Sequence, residues 1–231
     1  SSGEPLPYIL GRWEFYGLEL TISKDVLIPR PETELLVDKA LDWLKENPER
    51  RNVIDMGTGS GCIAIALAVN IPDLRVKAVD ISEKAILVAR ENARILYVSE
   101  RIEFILSNLW ENNNNKSQFF PPSEDDRSSA GADLITANLP YIPTSLLHGL
   151  KVYGREPDLA LDGGMDGLKT INNFLKSAPL FLRPGGLLLM ELEDSLGLET
   201  LHLAQVNFPE AEIQLYQDLA GLDRLIEIRQ K

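Results

Sequence analysis

Cysteine is nearly absent from the sequence, which has Cys62 alone among 231 residues. A single cysteine excludes a disulfide bond within the chain and any metal cluster built from cysteines, so we expect no metal site. No apolar run approaches the ~20 residues that a membrane-spanning helix needs. No basic-then-apolar signal segment stands at the start either. We therefore expect a soluble, cytoplasmic protein.

Positive charge is also scarce. The chain has 23 Lys and Arg residues against 35 Asp and Glu residues, a formal net charge of -12. Broad binding of nucleic acid needs clustered Lys and Arg side chains that neutralise phosphates. Direct nucleic-acid binding is therefore not expected, although an acidic total does not exclude a local basic groove. The two histidines, His148 and His202, lie in no motif typical of catalysis.

From Asn52 onward, short apolar runs alternate with helical patterns. The runs cover residues 53–56, 76–80, 102–106, 133–137 and 186–191, and a helix over 167–182 precedes the last. Such alternation predicts an α/β fold with a parallel sheet covered on both faces. Two further runs, 212–216 and 224–229, predict a closing antiparallel hairpin. The expected architecture is a Rossmann-like, mostly parallel sheet of seven strands.

Two other segments differ from this pattern. Residues 8–28 read as short extended pieces with the glycine punctuation of a hairpin, followed by a helix that starts near Pro31. We therefore divide the chain into an N-terminal hairpin and linker, 1–30, and a sheet domain, 31–231. Residues 111–130, with four consecutive asparagines, predict a solvated insertion.

A glycine-rich turn joins the first strand of the sheet to its first helix. The run Asp55-Met56-Gly57-Thr58-Gly59-Ser60-Gly61 can turn sharply and approach a ligand closely, and the helix that follows offers free N–H groups. Asp80 ends the second strand, where an acid can accept both hydroxyls of a ribose. The glycine run alone is also compatible with a tight turn that binds nothing. Together, the two features predict a nucleoside-containing cofactor.

The loop after the third strand, Ser107 to Trp110, is where such folds commonly hold an adenine. Asn108 can accept a hydrogen bond from its exocyclic amine, and a polar turn residue is the alternative interpretation. The predicted cofactor-binding residues are Asp55, Gly57, Thr58, Gly59, Ser60, Gly61, Asp80, Ile81, Asn108, Leu109 and Asn138.

The turn Asn138-Leu139-Pro140-Tyr141 follows the fourth strand. The side-chain oxygen of Asn138 and the carbonyl of Leu139 can both accept hydrogen bonds from one amino group, and Pro140 stiffens the turn. Tyr141 can stack on a flat substrate. This arrangement suits methylation of a nitrogen conjugated to a π-system, in a base or an amide, by positioning and electrostatics. We predict Asn138, Pro140 and Tyr141 as catalytic, and all four residues as substrate-binding. A structural β-turn is the alternative.

Taken together, these segments resemble the release-factor glutamine methyltransferase family (the HemK/PrmC type). The similarity extends over nearly the whole chain and includes Tyr8–Gly11, Leu27–Glu34, Asp55–Gly61, Asp80–Ser82, Asn138–Ile142, Glu156–Gly164 and Asp218–Gly221. The resemblance implies that residues 31–231 form an S-adenosylmethionine-dependent methyltransferase domain, with S-adenosylhomocysteine as a product. It also implies that residues 138–141 hold the glutamine of a Gly-Gly-Gln loop in a peptide chain release factor, which becomes N5-methylglutamine.

Three features depart from the family pattern. Leu139 replaces the first proline of Asn-Pro-Pro-Tyr, and Asn108 stands where an Asp is frequent. The sequence also begins after the helical domain that usually precedes this region, so we expect either that it is part of a longer chain or that it recognises its partner differently. Because Asn-Leu-Pro-Tyr is also typical of ribosomal RNA adenine dimethyltransferases, an adenine-N6 methyltransferase acting on RNA or DNA is the main alternative. A non-catalytic cofactor-binding scaffold leaves Asn138 and Tyr141 without a purpose. A nicotinamide oxidoreductase leaves residues 138–141 unexplained.

Overall fold

The protein is described by a computed structural model that covers residues 3–111, 119–121 and 130–231. Helix α1 (Leu6–Leu10) precedes strands β1 (Arg12–Phe15) and β2 (Leu18–Thr21), which pair in antiparallel fashion. The predicted hairpin is confirmed, but the extended segment expected at Tyr8–Gly11 is wrong. Pro7 favours a first helical turn, and Gly11, at φ 69°, ends the helix in the left-handed conformation.

The remaining elements include the seven predicted strands of the sheet, together with two short strands and a four-residue helix between residues 142 and 164 that the sequence did not predict. They are α2 (Glu34–Glu46), β3 (Asn52–Met56), α3 (Cys62–Asn70), β4 (Arg75–Asp80), α4 (Glu83–Ile95), β5 (Ile102–Leu106), β6 (Ala132–Ala137), β7 (Ile142–Pro143), α5 (Thr144–Leu147), β8 (Asp162–Gly164), α6 (Lys169–Ser177), β9 (Leu182–Glu191), α7 (Gly197–Asn207), β10 (Glu212–Gln217) and β11 (Asp223–Arg229). A 3-10 turn, Pro31–Thr33, leads into α2.

Within the described residues, seven strands form the central sheet in the order β10-β11-β9-β6-β3-β4-β5. Strands β9, β6, β3, β4 and β5 are parallel, and β11 and β10 close the sheet as an antiparallel hairpin. The predicted fold class is confirmed. Two predicted elements have other bounds: the last parallel strand begins at Leu182 and not at residue 186, and the helix expected over 167–182 is shorter. It ends at Ser177, because Pro179 cannot donate a backbone hydrogen bond, and a 3-10 turn follows.

The core divides into two clusters, because successive residues of a strand face opposite sides of the sheet. Val53 joins one cluster and Ile54 the other, as do Leu187 and Leu188 on β9. The N-terminal hairpin contributes Phe15 and other residues to the first cluster, where α2 and α3 also pack. The boundary placed at residue 30 therefore stays a prediction.

The insertion expected over 111–130 lies mostly outside the described residues, which omit 112–118 and 122–129. Its described middle is not solvated. Phe119 and Phe120 are buried, and Phe119 meets the ring of Trp110 edge-on at 5.9 Å, while Trp110 stacks on Phe181 at 4.2 Å. Aromatic burial of this kind attaches the insertion to the second core cluster. Over the same described ranges, none of the helices has the length and apolarity required to cross a membrane.

Candidate active site

A pocket opens at the carboxyl edge of the parallel strands, where α/β sheets bind ligands. Nine of the predicted site residues line it, from the loops after β3, β4, β5 and β6: Gly57, Gly59, Asp80, Ile81, Asn108, Leu109, Asn138, Leu139 and Pro140. Asp55, Thr58, Ser60, Gly61 and Tyr141 are not part of the lining. Two further segments, to which the sequence analysis gave no role in binding, also line the pocket: residues 25–27 and four residues between 157 and 162.

The glycine loop approaches the turn after β6 closely. Gly57 has φ 74°, and a Cβ there would lie 3.2 Å from the carbonyl oxygen of Asn138 and 3.1 Å from Cδ2 of Leu139. The N–H groups of Gly57 and Thr58 donate to the carbonyl of Val79, at 2.8 and 3.0 Å. A side chain at position 57 would therefore be both strained and crowded. The loop has the cradle shape expected of a cofactor site.

Asp80 is held at this loop by backbone donors. Its Oδ2 accepts from the N–H of Gly59 at 2.8 Å, and its Oδ1 accepts from the N–H of Ser82 at 2.9 Å. Burial raises the pKa of Asp80, and these backbone hydrogen bonds oppose the increase. Because a carboxylate oxygen can accept more than one hydrogen bond, both oxygens remain able to accept ribose hydroxyls.

Asp55 lies beneath the loop. It is fully buried, and its carboxylate accepts from the hydroxyls of Thr58 at 2.6 Å and Thr136 at 2.8 Å. Burial raises the pKa of Asp55 to about 6, against the effect of these two hydroxyls. The hydrogen bond from Thr58 therefore ties the glycine loop to the end of β3. Ser60 is likewise buried, and Gly61, at φ 82°, lies against Ala89 on α4.

The loop after β5 presents one polar side chain to the pocket. The amide nitrogen of Asn108 donates to Oε1 of Glu111 at 2.9 Å. The side-chain oxygen of Asn108 takes no part in this bond and can accept another. Leu109 lines the same wall with φ 50°, a left-handed conformation that is uncommon for a residue with a side chain. The two residues lie where the sequence places an adenine, and that role stays a prediction.

The turn after β6 contributes Asn138, Leu139 and Pro140 to the pocket lining. Nδ2 of Asn138 donates to the hydroxyl oxygen of Thr33 at 3.2 Å, so its Oδ1 is directed elsewhere. Tyr141 lies behind this turn, where its backbone contacts Gly163 and Gly167 closely. Burial raises the pKa of Tyr141 to about 12, so the phenol stays protonated at neutral pH.

Two buried neighbours of Asn138 were not singled out from the sequence. Thr33 belongs to the run Pro-Arg-Pro-Glu-Thr-Glu, residues 29–34. A local sequence pattern does not show where this run lies in the fold. Glu191 is the last residue of β9 and is 3 % exposed. The sequence could have pointed to Glu191, because it is an acid at the carboxyl end of a parallel strand, the same feature that pointed to Asp80.

Comparison with known proteins agrees with this geometry. The family model described as the methyltransferase small domain matches residues 32–120. Among solved structures, a ribosomal protein L11 methylase from Lactobacillus delbrueckii subsp. bulgaricus is 19% identical with a TM-score of 0.59, covering 91% of this chain and 84% of that one. The N-terminal domain of human METTL16 in complex with SAH is 16% identical with a TM-score of 0.61, covering 94% and 77%. At these identities the structures show a shared fold.

Curated relatives are closer in sequence. The release factor glutamine methyltransferase of Moorella thermoacetica is 40% identical over 225 residues, which cover 97% of this chain and 74% of the relative. That of Synechocystis sp. is 35% identical over 230 residues, covering 97% and 73%. The family expected from the motifs is thereby confirmed: the chain belongs to the release factor glutamine methyltransferases.

Proposed function

We propose that the protein transfers a methyl group from S-adenosylmethionine to the side-chain nitrogen, N5, of the glutamine in the Gly-Gly-Gln motif of a peptide chain release factor. One observation carries the proposal: the turn with the two acceptors, Asn138 and Leu139, lines the same pocket as Asp80 and the glycine loop. A cofactor held by the loop and a substrate amide held by the turn would therefore meet. A cytoplasmic location, where release factors work, belongs to the same proposal.

The residues act by orientation. S-adenosylmethionine supplies an electrophilic methyl group, and Asp80 and Asn108 would hold its ribose and adenine. Oδ1 of Asn138 and the carbonyl of Leu139 each accept one N–H of the substrate amide. Held in this way, the nitrogen can present its lone pair to the methyl group. The methylated nitrogen then releases one proton, and no strongly basic side chain is needed for that step.

The alternative acceptor is the exocyclic amine of an adenine, which has the same two N–H groups. The net charge of -12 opposes a nucleic-acid substrate, because phosphates require compensating cations. The names of the curated relatives oppose it as well. We therefore favour the glutamine.

The direct test is methyl transfer from labelled S-adenosylmethionine to a purified release factor. The same factor with its Gly-Gly-Gln glutamine changed to alanine, and bulk RNA, serve as parallel substrates. We expect label on the intact factor alone. Label on the alanine variant would refute the proposed target, and label on RNA would establish the adenine alternative.

A second experiment tests the role of Asn138. Asn138→Ala should reduce turnover by at least ~100-fold, because the amide loses one of its two acceptors. The affinity for S-adenosylmethionine, measured by calorimetry, should stay within a few-fold of wild type. Near-normal turnover in this variant would contradict the mechanism.

A further inference from the structure

Glu191 lies directly beside the substrate turn. Strands β6 and β9 are parallel neighbours in which Ala137 pairs with Met190, so the next residues along the two strands are Asn138 and Glu191. Glu191 is only 3 % exposed, and its Oε2 accepts no hydrogen bond from any residue that the structure describes. The active site thus has a buried carboxyl group that the proposed mechanism does not use.

Thr33 contacts Asn138 at the same place in the fold. It is 2 % exposed, it follows Pro31 and Glu32 in the 3-10 turn before α2, and its hydroxyl oxygen accepts from Nδ2 of Asn138 at 3.2 Å. Burial raises the pKa of Glu191 to about 7, while the side chains of Thr33 and Asn138 favour its charged form. The hydroxyl group of Thr33 thus contacts Asn138 directly, and both side chains act on the charge of Glu191.

We propose that Glu191 and Thr33 are positioning residues that determine which end of the Asn138 amide faces the substrate. The carboxylate accepts the hydroxyl hydrogen of Thr33, which leaves the Thr33 oxygen able only to accept. The Thr33 oxygen then accepts a hydrogen bond from Nδ2 of Asn138, so Oδ1 of Asn138 is turned towards the substrate amide. This inference rests on the proposed function, since it concerns the acceptor that the glutamine needs.

The direction of the hydrogen bonds is what matters. A hydroxyl can donate or accept, and the two ends of an asparagine amide have nearly the same shape. Without the carboxylate, Thr33 could donate to Oδ1 of Asn138 as readily as it accepts from Nδ2. The flipped amide would then present its NH₂ group to the NH₂ group of the substrate. An ionised carboxylate only accepts hydrogen bonds and so excludes the flipped arrangement.

The first test compares two substitutions at position 33. Thr33→Val keeps the shape of the side chain but removes the hydroxyl, whereas Thr33→Ser keeps the hydroxyl. We expect Thr33→Val to lower kcat by roughly tenfold or more with KM for S-adenosylmethionine little changed, and Thr33→Ser to restore most of the turnover. Wild-type kcat in Thr33→Val would overturn the proposal.

Thr200→Val is the matched control. Thr200, on α7, is also fully buried, and its hydroxyl has no partner among the described residues. Unlike the hydroxyl of Thr33, it makes no hydrogen bond to Asn138, so its loss should leave turnover unchanged. An equal loss of kcat in Thr200→Val would mean that any buried threonine has this effect, and it would also overturn the proposal.

The second test needs no methyl acceptor, so it separates this inference from the proposed function. The side-chain amide signal of Asn138, identified in a ¹⁵N spectrum by its loss in Asn138→Ala, is followed from about pH 6 to about pH 8. We expect the signal to shift with pH in wild type and to stay constant in Glu191→Gln. If it shifts equally in both proteins, the positioning role is wrong, whatever the release-factor assay shows.

Other groups near Glu191 do not explain such a shift. Arg224 and Glu32 are the charged neighbours that affect its pKa, and both are retained in Glu191→Gln. Tyr141 and Cys62 also interact with Glu191, and burial raises the pKa of each to about 12, so neither ionises in this range. A shift that disappears in Glu191→Gln therefore reports on Glu191.

Discussion

The guanidinium of Arg30 lies 2.6 Å from Oε1 of Glu156, although 126 residues separate them in the chain. The other oxygen, Oε2, accepts from the N–H of Ile28 at 3.2 Å. Leu27 and Pro157, which adjoin this cluster, both line the pocket. The ion pair therefore joins two distant segments into one wall of the site.

We expect Arg30→Met to destabilise the protein by about 3 kcal/mol, because it leaves the buried Glu156 carboxylate without its cation. Arg12→Met is the control, since the Arg12–Glu19 pair is 63% and 67% exposed and should change stability by less than about 1 kcal/mol. Urea unfolding measures both. Equal effects of the two substitutions would show that the Arg30–Glu156 pair contributes no more than a surface pair.

Asp80→Asn should weaken binding of S-adenosylmethionine by roughly 1–3 kcal/mol, about 5- to 150-fold in affinity. Both carboxylate oxygens accept backbone N–H bonds, from Gly59 and Ser82, so an amide nitrogen at either position faces a donor. Calorimetric titration gives the affinity. The prediction fails if the variant binds the cofactor as tightly as wild type, and Asp80 would then have no part in the site.

Gly167→Ala should destabilise the protein more than Gly221→Ala does. Both glycines have φ 78°, so an alanine at either position costs about 1–2 kcal/mol in backbone strain. Around Gly221 the added methyl group meets nothing within 4 Å, whereas at Gly167 it would overlap the carbonyl oxygen of Tyr141. Gly167→Ala should therefore also reduce turnover by displacing the substrate turn. Thermal unfolding and the transfer assay measure the two effects, and equal destabilisation by both substitutions would contradict the prediction.

The stability of the protein should depend on the ionisation of Glu191. Its pKa rises from 4.5 to about 7 on folding, so the folded state holds the proton more tightly than the unfolded state. The stabilisation is complete below the unfolded pKa and is lost as pH rises through about 7, a difference of roughly 3 kcal/mol. Relative to wild type, Glu191→Gln should thus gain stability between pH 5 and pH 8.

Urea unfolding of both proteins at the two pH values tests this. The raised pKa of Asp55 acts in the same direction in both proteins, and it cancels in the comparison. A difference between wild type and Glu191→Gln that stays the same at pH 5 and pH 8 would show that folding does not change the pKa of Glu191.

Much of the site could be predicted because its features are local in sequence. The glycine run, Asp80 and the turn at 138–141 each directly follow an apolar run that reads as a strand. Parallel strands end at a common edge, so residues that follow them converge without any knowledge of side-chain packing. The structure accordingly places nine of the predicted residues around one pocket.

Local patterns were less informative where a side chain can face either the protein interior or the surface. Asp55 belongs to the same motif as Gly57, yet its carboxylate points inward to Thr58 and Thr136. Phe119 and Phe120 lie in a polar insertion but are buried. Composition predicts the average behaviour of a segment, and whether one residue is buried depends on the surface against which it packs.

By itself, the sequence determined the order of strands and helices, the cofactor loop and the family, because periodicity and contiguous motifs are properties of a single stretch of chain. Only the tertiary structure decided that Thr33 and Glu191 meet at Asn138, and that Arg30 pairs with Glu156. Those contacts join residues 53 to 126 positions apart, and they depend on which strands are neighbours in the sheet. Hydrogen bonds and ion pairs act over a few ångströms, so only the folded arrangement brings such groups within reach.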